Sequence, residues 1–238
     1  MQMVILAGGL ATRLRPITST IPKSMVPVCG KPFLEYQIEL IRQHGIAELV
    51  LCVGHLWEQI EAHFGDGRHF GVKIHYSVEQ GPLLGTAGAL AQACPLLNER
   101  FYVMYGDSFL LYPYEEIMDR SRGYDALMVV YHNRGRFDAS NVAVRDGRIV
   151  RYEKGSADPE LDHIDAGLLV LTARAIAGLT PGQPASLDRD VVPSLVEDGH
   201  LAAYITPQRF YEIGSPSGLE EFTKLVKEKG FAFVGRLP

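Results

Sequence analysis

Residues able to do chemistry gather near the start of the chain, in the stretch VILAGGLATRLRPITSTIPKSMVPVCGKP (residues 4–32). An apolar run ends in Gly8 and Gly9, and Arg13, Arg15 and Lys23 follow in a loop that also holds Pro16, Pro22 and Pro27. Glycine lets a backbone approach a ligand and aim its N–H groups at an oxyanion. Arginine grips phosphate oxygens bidentately, whereas lysine places a point charge. Prolines that stiffen the loop hold those cations in place, and the combination suits a polyphosphate. The glycines alone would serve a tight turn equally well, and their spacing fits neither GxxxxGK[ST] nor GxGxxG. A solvated basic loop is the plain alternative for the cations, and the prolines argue against it.

Two other places carry charge where it could act. Asp107, in YGD, closes an apolar strand, where sheet geometry exposes a side chain at the carboxyl edge. A carboxylate there suits Mg²⁺, which takes one or two carboxylates plus substrate phosphates; a helix N-cap is the alternative. Glu153 and Lys154, in RYEKG, sit together at the end of a hairpin. Neighbours on a strand face opposite ways, and a decorative surface pair is the alternative there. Cys29, Cys52 and Cys94 show no paired spacing, and Cys52 and Cys94 read as small buried hydrophobes in a reducing compartment. His55, His63, His69 and His75 form no HxxxH or similar pairing.

These residues need elements to position them. Apolar, β-branched runs at 3–7, 49–53, 72–78, 101–105 and 126–131 read as strands. Helical spacing lies between them: Leu34, Ile38 and Ile41 in FLEYQIELIRQHG (33–45), then LWEQIEAHFG and GTAGALAQACPLL. Such alternation implies βαβ units and an α/β fold with a Rossmann-like, doubly wound, mostly parallel sheet. Ligands bind such sheets beyond the carboxyl ends of the strands. After residue 140 the pattern shifts to a mixed β part: a hairpin over NVAVRDGRIVRYE with Asp146-Gly147 as its turn, strands in IDAGLLVL and LAAYITPQRFYEIG, and a closing helix in GLEEFTKLVKEKG. No linker divides the chain, so one domain is expected over 1–238, with a nucleotide-fold part at about 1–135 and a later mixed part at about 136–238.

Composition sets bounds. With 47 % hydrophobic residues the 238-residue chain can bury a large core, and its net charge of −5 argues against nucleic acid or an anionic membrane as partner. No signal-peptide pattern and no membrane-length apolar run is present, so a cytoplasmic protein is expected. The last helix offers a homodimer contact.

Together the motifs resemble the sugar-1-phosphate nucleotidyltransferase family. Its signature runs G-G-x-G-T-R-L-x-P-x-T, then P-K-x-x-x-P-V-x-G-K-P; the chain has GGLATRLRPIT and PKSMVPVCGKP. The match continues through EQGPLLGTAGAL, GD at 106–107, EK at 153–154, DAGLLVL and EIGSPSGLEEF, and so spans essentially the whole chain. The resemblance implies transfer of a nucleoside monophosphate from a nucleoside triphosphate to a sugar 1-phosphate, with Mg²⁺ and release of pyrophosphate. It implies that Leu6, Ala7, Gly8 and Gly9 cradle the nucleotide, Arg13 grips the triphosphate, Lys23 stabilises charge at the α-phosphate and Asp107 holds the metal. By the same resemblance Glu79, Gly85 and Thr86 meet the base, Glu153, Asp165 and Gly167 meet the sugar, and Lys154 binds its phosphate.

Departures from the family pattern bear on substrate more than on reaction. Ala11 stands for a glycine, Leu83-Leu84 adds a residue near the base segment, and Asp165 stands for a more usual Asn. Asn141 lies where a glycine near the sugar is expected, and Glu212 replaces the second metal-binding Asp, one methylene longer. The short form most resembles heptose- or mannose-phosphate guanylyltransferases. Uridylyl or cytidylyl transfer to another sugar or choline phosphate is the alternative, as is a non-catalytic nucleotide-sugar sensor.

Overall fold

A computed structural model describes residues 1–10, 12–133 and 139–230; the departure at Ala11 lies outside them. The fold is α/β, and its contacts divide it into two compact units. The first comprises Met1–Leu83, Met104–Leu111 and Phe210–Pro238; the second comprises Leu84–Val103 and Tyr112–Arg209.

In the first unit three parallel strands lie side by side: Gln2–Leu6 pairs with Glu48–Val53, which pairs with Lys73–Val78. Val4, Ile5 and every residue from Leu49 to Val53 are buried, as strands covered on both faces require. Helix Phe33–Gln43 buries Phe33, Leu34, Ile38 and Ile41 and stops at Gly45, whose φ of 72° no β-branched residue would hold cheaply. The proline-punctuated loop becomes three short 3₁₀ turns, Thr12–Leu14, Ile17–Ser19 and Lys23–Met25. Leu14, Val26 and Val28 anchor this loop in a cluster with Phe33, Phe109, Ile213 and Phe222. The Phe222 ring lies 5.1 Å from Phe33, 4.8 Å from Phe109 and 5.7 Å from Tyr36. Each fully buried ring of this kind contributes about 1.5–3 kcal/mol. The apolar face of helix Pro216–Lys229, expected to offer a dimer contact, packs into this cluster through Phe222, Val226, Leu219 and Leu225.

The second unit is mixed. Ala126–His132 runs antiparallel to His163–Thr172 and parallel to Leu201–Thr206, and Arg148–Tyr152 pairs antiparallel with Val142–Arg145. The hairpin turn falls on Asp146 and Gly147, both at positive φ, as the Asp-Gly dipeptide predicts. The segment 201–214, expected as one strand, yields Leu201–Thr206 and Tyr211–Glu212 separately. Pro207 removes a ladder donor, and the Gln208 N–H turns back to Thr206 Oγ1. Among the described residues no helix is long and apolar enough to cross a membrane.

Candidate functional site

The first unit positions its candidate residues at strand ends. Ala7 N–H donates to Cys52 O at 2.8 Å, and Leu6 O accepts from Gly106 N at 2.9 Å. Space is tight here: a methyl group on Gly8 would lie 2.8 Å from Glu79 Oε1, and one on Gly106 would lie 3.0 Å from Leu6 O. A side chain at Gly8 would have to displace the Glu79 carboxylate, while a methyl on Gly9 would meet nothing within 4 Å.

Asp107 and Glu212 are set by a two-stranded ribbon. Tyr211–Glu212 pairs with Ser108–Phe109, and Ile213 N donates to Asp107 O at 2.9 Å. Buried Phe109 and Ile213 pin the ribbon to the aromatic cluster below. At Gly214 the charges converge: a methyl group there would lie 2.5 Å from Asp107 Oδ2, 2.6 Å from Glu212 Oε2 and 3.0 Å from Arg13 Nη2. Lys23, set by the turn after Pro22, donates from Nζ to Asp107 Oδ2 at 2.6 Å. That pair is partly buried, with side-chain exposures of 23 % and 15 %, so water screens it less than a surface pair. Gly214 was not singled out in the sequence; the family's D-x-G pattern over EIG is the signal that could have found it.

The donor set at this point suits a hard divalent cation. Two carboxylate oxygens converge, and no group of three or more His, Cys, Asp or Glu able to hold a metal occurs among the described residues. Mg²⁺ favours this arrangement, because it binds through one or two carboxylates and completes its shell with water and phosphate oxygens. Glu212 is held from behind: its Oε2 accepts from Gly214 N and its Oε1 from Ser215 Oγ at 2.6 Å. The extra methylene relative to Asp lets the carboxylate reach the start of helix Pro216–Lys229, where backbone N–H groups favour negative charge.

The second unit gathers Asn141, Glu153, Lys154, Asp165 and Gly167. Strand His163–Thr172 breaks register between Asp165 and Leu169, and Gly167 takes φ +82° within the irregularity. Asp165 N donates to Asn141 Oδ1 at 2.9 Å, and Asp165 Oδ1 accepts from Gly167 N at 3.0 Å. Burial raises the Asp165 carboxyl above its ordinary range; the Gly167 N–H and the Lys154 charge oppose that rise. Lys154 and Glu153 lie beyond the strand end. Lys154 Nζ donates to Asp188 Oδ2 at 2.7 Å, while Glu153 Oε2 accepts from Arg151 at 2.7 Å. Tyr152 OH donates to Asp188 Oδ1 at 2.7 Å and lies 3.5 Å from Asp165 Oδ2. Tyr152 and Asp188 were absent from the sequence candidates.

Gly85 and Thr86 engage the protein's own chain. Thr86 Oγ1 accepts from Leu187 N at 2.8 Å, and a methyl group on Gly85 (φ +72°) would lie 2.6 Å from Ala185 O. Glu79 belongs to the first unit, where its backbone N–H donates to Val53 O at 2.8 Å.

Comparison with known proteins follows the same lines. Residues 2–229 match the family model described as Nucleotidyl transferase. A UTP–glucose-1-phosphate uridylyltransferase of Synechocystis sp. is 34 % identical over 84 % of this chain, which spans only 56 % of that protein's length. A D-glycero-alpha-D-manno-heptose 1-phosphate guanylyltransferase of Aneurinibacillus thermoaerophilus is 29 % identical, covering 96 % of this chain and 98 % of its own. Crystalline HddC from Yersinia pseudotuberculosis, complexed with GMP-PN, superposes with a TM-score of 0.80 at 26 % identity, covering 94 % of this chain and 98 % of that one.

Proposed function

The chain belongs to the nucleotidyl transferase family, and within it we propose a sugar-1-phosphate nucleotidyltransferase that moves GMP from GTP to a heptose or mannose 1-phosphate. The carrying observation is the convergence of Arg13, Asp107 and Glu212 on Gly214, with Lys23 on Asp107. Guanylyl transfer is supported by the full-length likeness to the heptose 1-phosphate guanylyltransferase and to HddC bound to a guanine nucleotide analogue. Uridylyl transfer to glucose 1-phosphate is the second reading, favoured by the identity to the Synechocystis enzyme. We read the whole chain as one catalytic domain that acts in the cytoplasm.

The reaction is an attack by a phosphate oxygen of the sugar 1-phosphate on the α-phosphorus of the nucleotide. A bond forms between them as the bond from the α-phosphorus to the bridging oxygen breaks, and pyrophosphate leaves with that oxygen. The nucleophile is already ionised at neutral pH, so no general base is needed. The barrier is one anion approaching another, and it is lowered by positioning and charge neutralisation. In this reading Lys23 faces charge at the α-phosphate, Arg13 holds the departing pyrophosphate, and Leu6 to Gly9 lie along the nucleotide. Glu79, Gly85 and Thr86 are proposed near the base. Lys154 would take the sugar phosphate, and Glu153, Asp165, Gly167 and Asn141 would meet the sugar. Asp107 and Glu212 would hold Mg²⁺, which when bound supplies further positive charge to the phosphate oxygens.

The test is pyrophosphate release, with Mg²⁺, across the common nucleoside triphosphates and a panel of sugar 1-phosphates that includes mannose and heptoses. Turnover with GTP and one of those two acceptors is the expected result. Turnover with UTP and glucose 1-phosphate alone would select the second reading.

A further inference from the structure

Asp188 touches two other members of the second unit's cluster although no motif marks it. We propose that Asp188 is a positioning residue: braced by Tyr152, it holds the Lys154 ammonium where the phosphate of the sugar 1-phosphate must bind. This rests on the reading of Lys154 given above.

Lys154 needs such a partner. It lies just past the strand Arg148–Tyr152, followed by Gly155 at φ +79°, and its side chain is 47 % exposed. A lysine stem carries about 2 kcal/mol of rotamer entropy, so an untethered ammonium would range widely. Asp188 Oδ2 takes one of its three hydrogens and leaves two for phosphate oxygens. Tyr152 contributes twice, donating its hydroxyl to Asp188 Oδ1 at 2.7 Å and placing its ring 5.9 Å from the ammonium.

Asp188 is itself held by the backbone before it. Leu187 N donates to Thr86 Oγ1, Ala185 N donates to Leu84 O at 2.8 Å, and Ala185 O accepts from Ala87 N at 3.0 Å and Gly88 N at 3.2 Å. The lack of a side chain on Gly85 permits this approach. The start of helix Gly85–Ala93 therefore fixes the segment from which the π-helical turn Leu187–Val191 presents Asp188. A carboxylate that merely neutralised Lys154 would need neither the tyrosine nor the clamp. Such a counter-ion would compete with phosphate, and its removal would tighten substrate binding, which is the opposite sign.

The test compares the parent chain with Asp188→Ala, Asp188→Glu, Lys154→Ala and the double variant Asp188→Ala/Lys154→Ala. Binding of mannose and heptose 1-phosphates is measured by calorimetry, and both KM values by pyrophosphate release. Positioning predicts sugar-phosphate binding about tenfold weaker in Asp188→Ala, an unchanged KM for the nucleotide, and substantial recovery in Asp188→Glu. The double variant should be no weaker than Lys154→Ala alone. Unchanged or tighter binding in Asp188→Ala, or losses that multiply in the double variant, would overturn the proposal while leaving Lys154's role intact. A Lys154→Ala chain that binds like the parent, or a parent that binds neither sugar phosphate, would overturn the role of Lys154 and this inference together. Tyr152→Phe removes the brace, along with the hydroxyl's 3.5 Å contact to Asp165 Oδ2, keeps the ring, and should give a smaller loss of the same sign; no loss counts against the proposal.

Discussion

Both units hold a candidate phosphate-binding lysine on an aspartate, at nearly the same distance: Lys23 on Asp107 at 2.6 Å and Lys154 on Asp188 at 2.7 Å. The surroundings differ. Around Asp107 stand a second carboxylate, Glu212, and a second cation, Arg13, all converging on one glycine. Around Asp188 stand a neutral hydroxyl, Tyr152, which also reaches the buried Asp165 carboxyl, and a clamped backbone. The first arrangement is built to exchange charges, since a metal and a triphosphate can replace each ion pair with another. The second is built to keep one ammonium in one place. The difference matches the proposed substrates, a highly charged triphosphate and a monophosphate carried on a neutral sugar.

That contrast can be broken first at its foundations. Phe222→Ala removes the ring on which Phe33, Tyr36 and Phe109 pack and should cost about 3–5 kcal/mol in denaturant unfolding. A cost near zero would mean the ribbon carrying Asp107 and Glu212 is held by something else. Next in size is Lys23→Ala, expected to lower kcat about 10²- to 10³-fold with a smaller change in either KM. Lys154→Ala should act differently, raising the KM for sugar 1-phosphate about tenfold to a hundredfold while the nucleotide KM stays put. Equal effects on both substrates would erase the distinction between the two clusters.

How far the sequence reveals this can be judged from the same residues. The loop from Gly8 to Lys23 is legible because its chemistry is contiguous and its prolines bound it. The strands are legible because buried parallel strands read as unbroken apolar runs. Helices Tyr114–Arg120 and Val192–Glu197, of seven and six residues, are too short to display a period and were not read. Asp188 lies 34 positions from Lys154, and the pairing arises only when packing against the start of helix Gly85–Ala93 brings its segment round. The sequence places Gly85 and Thr86 by motif, but their hold on residues 185–187 is a tertiary fact.

The smallest expected effect concerns pH. Because burial raises the Asp165 carboxyl, ionisation is easier in the unfolded chain than in the folded one. Its contribution to stability is complete below the ordinary aspartate range and is lost as pH rises through the raised value. Asp165→Asn can keep the bond from Gly167 N without that loss. Its melting temperature should exceed the parent's by a few degrees at neutral pH and converge with it in acid. A gap of the same size at both pH values would point to packing instead of ionisation.

The central claim is nucleotidyl transfer to a sugar phosphate, and it is tested most directly by following the α-phosphate. GTP labelled at that position is incubated with the chain, Mg²⁺ and mannose or heptose 1-phosphate, and products are separated. The account predicts that label enters a nucleotide sugar while unlabelled pyrophosphate appears in equal amount, and that neither forms without the sugar phosphate. Label recovered as free GMP, at a rate indifferent to the sugar phosphate, would contradict it.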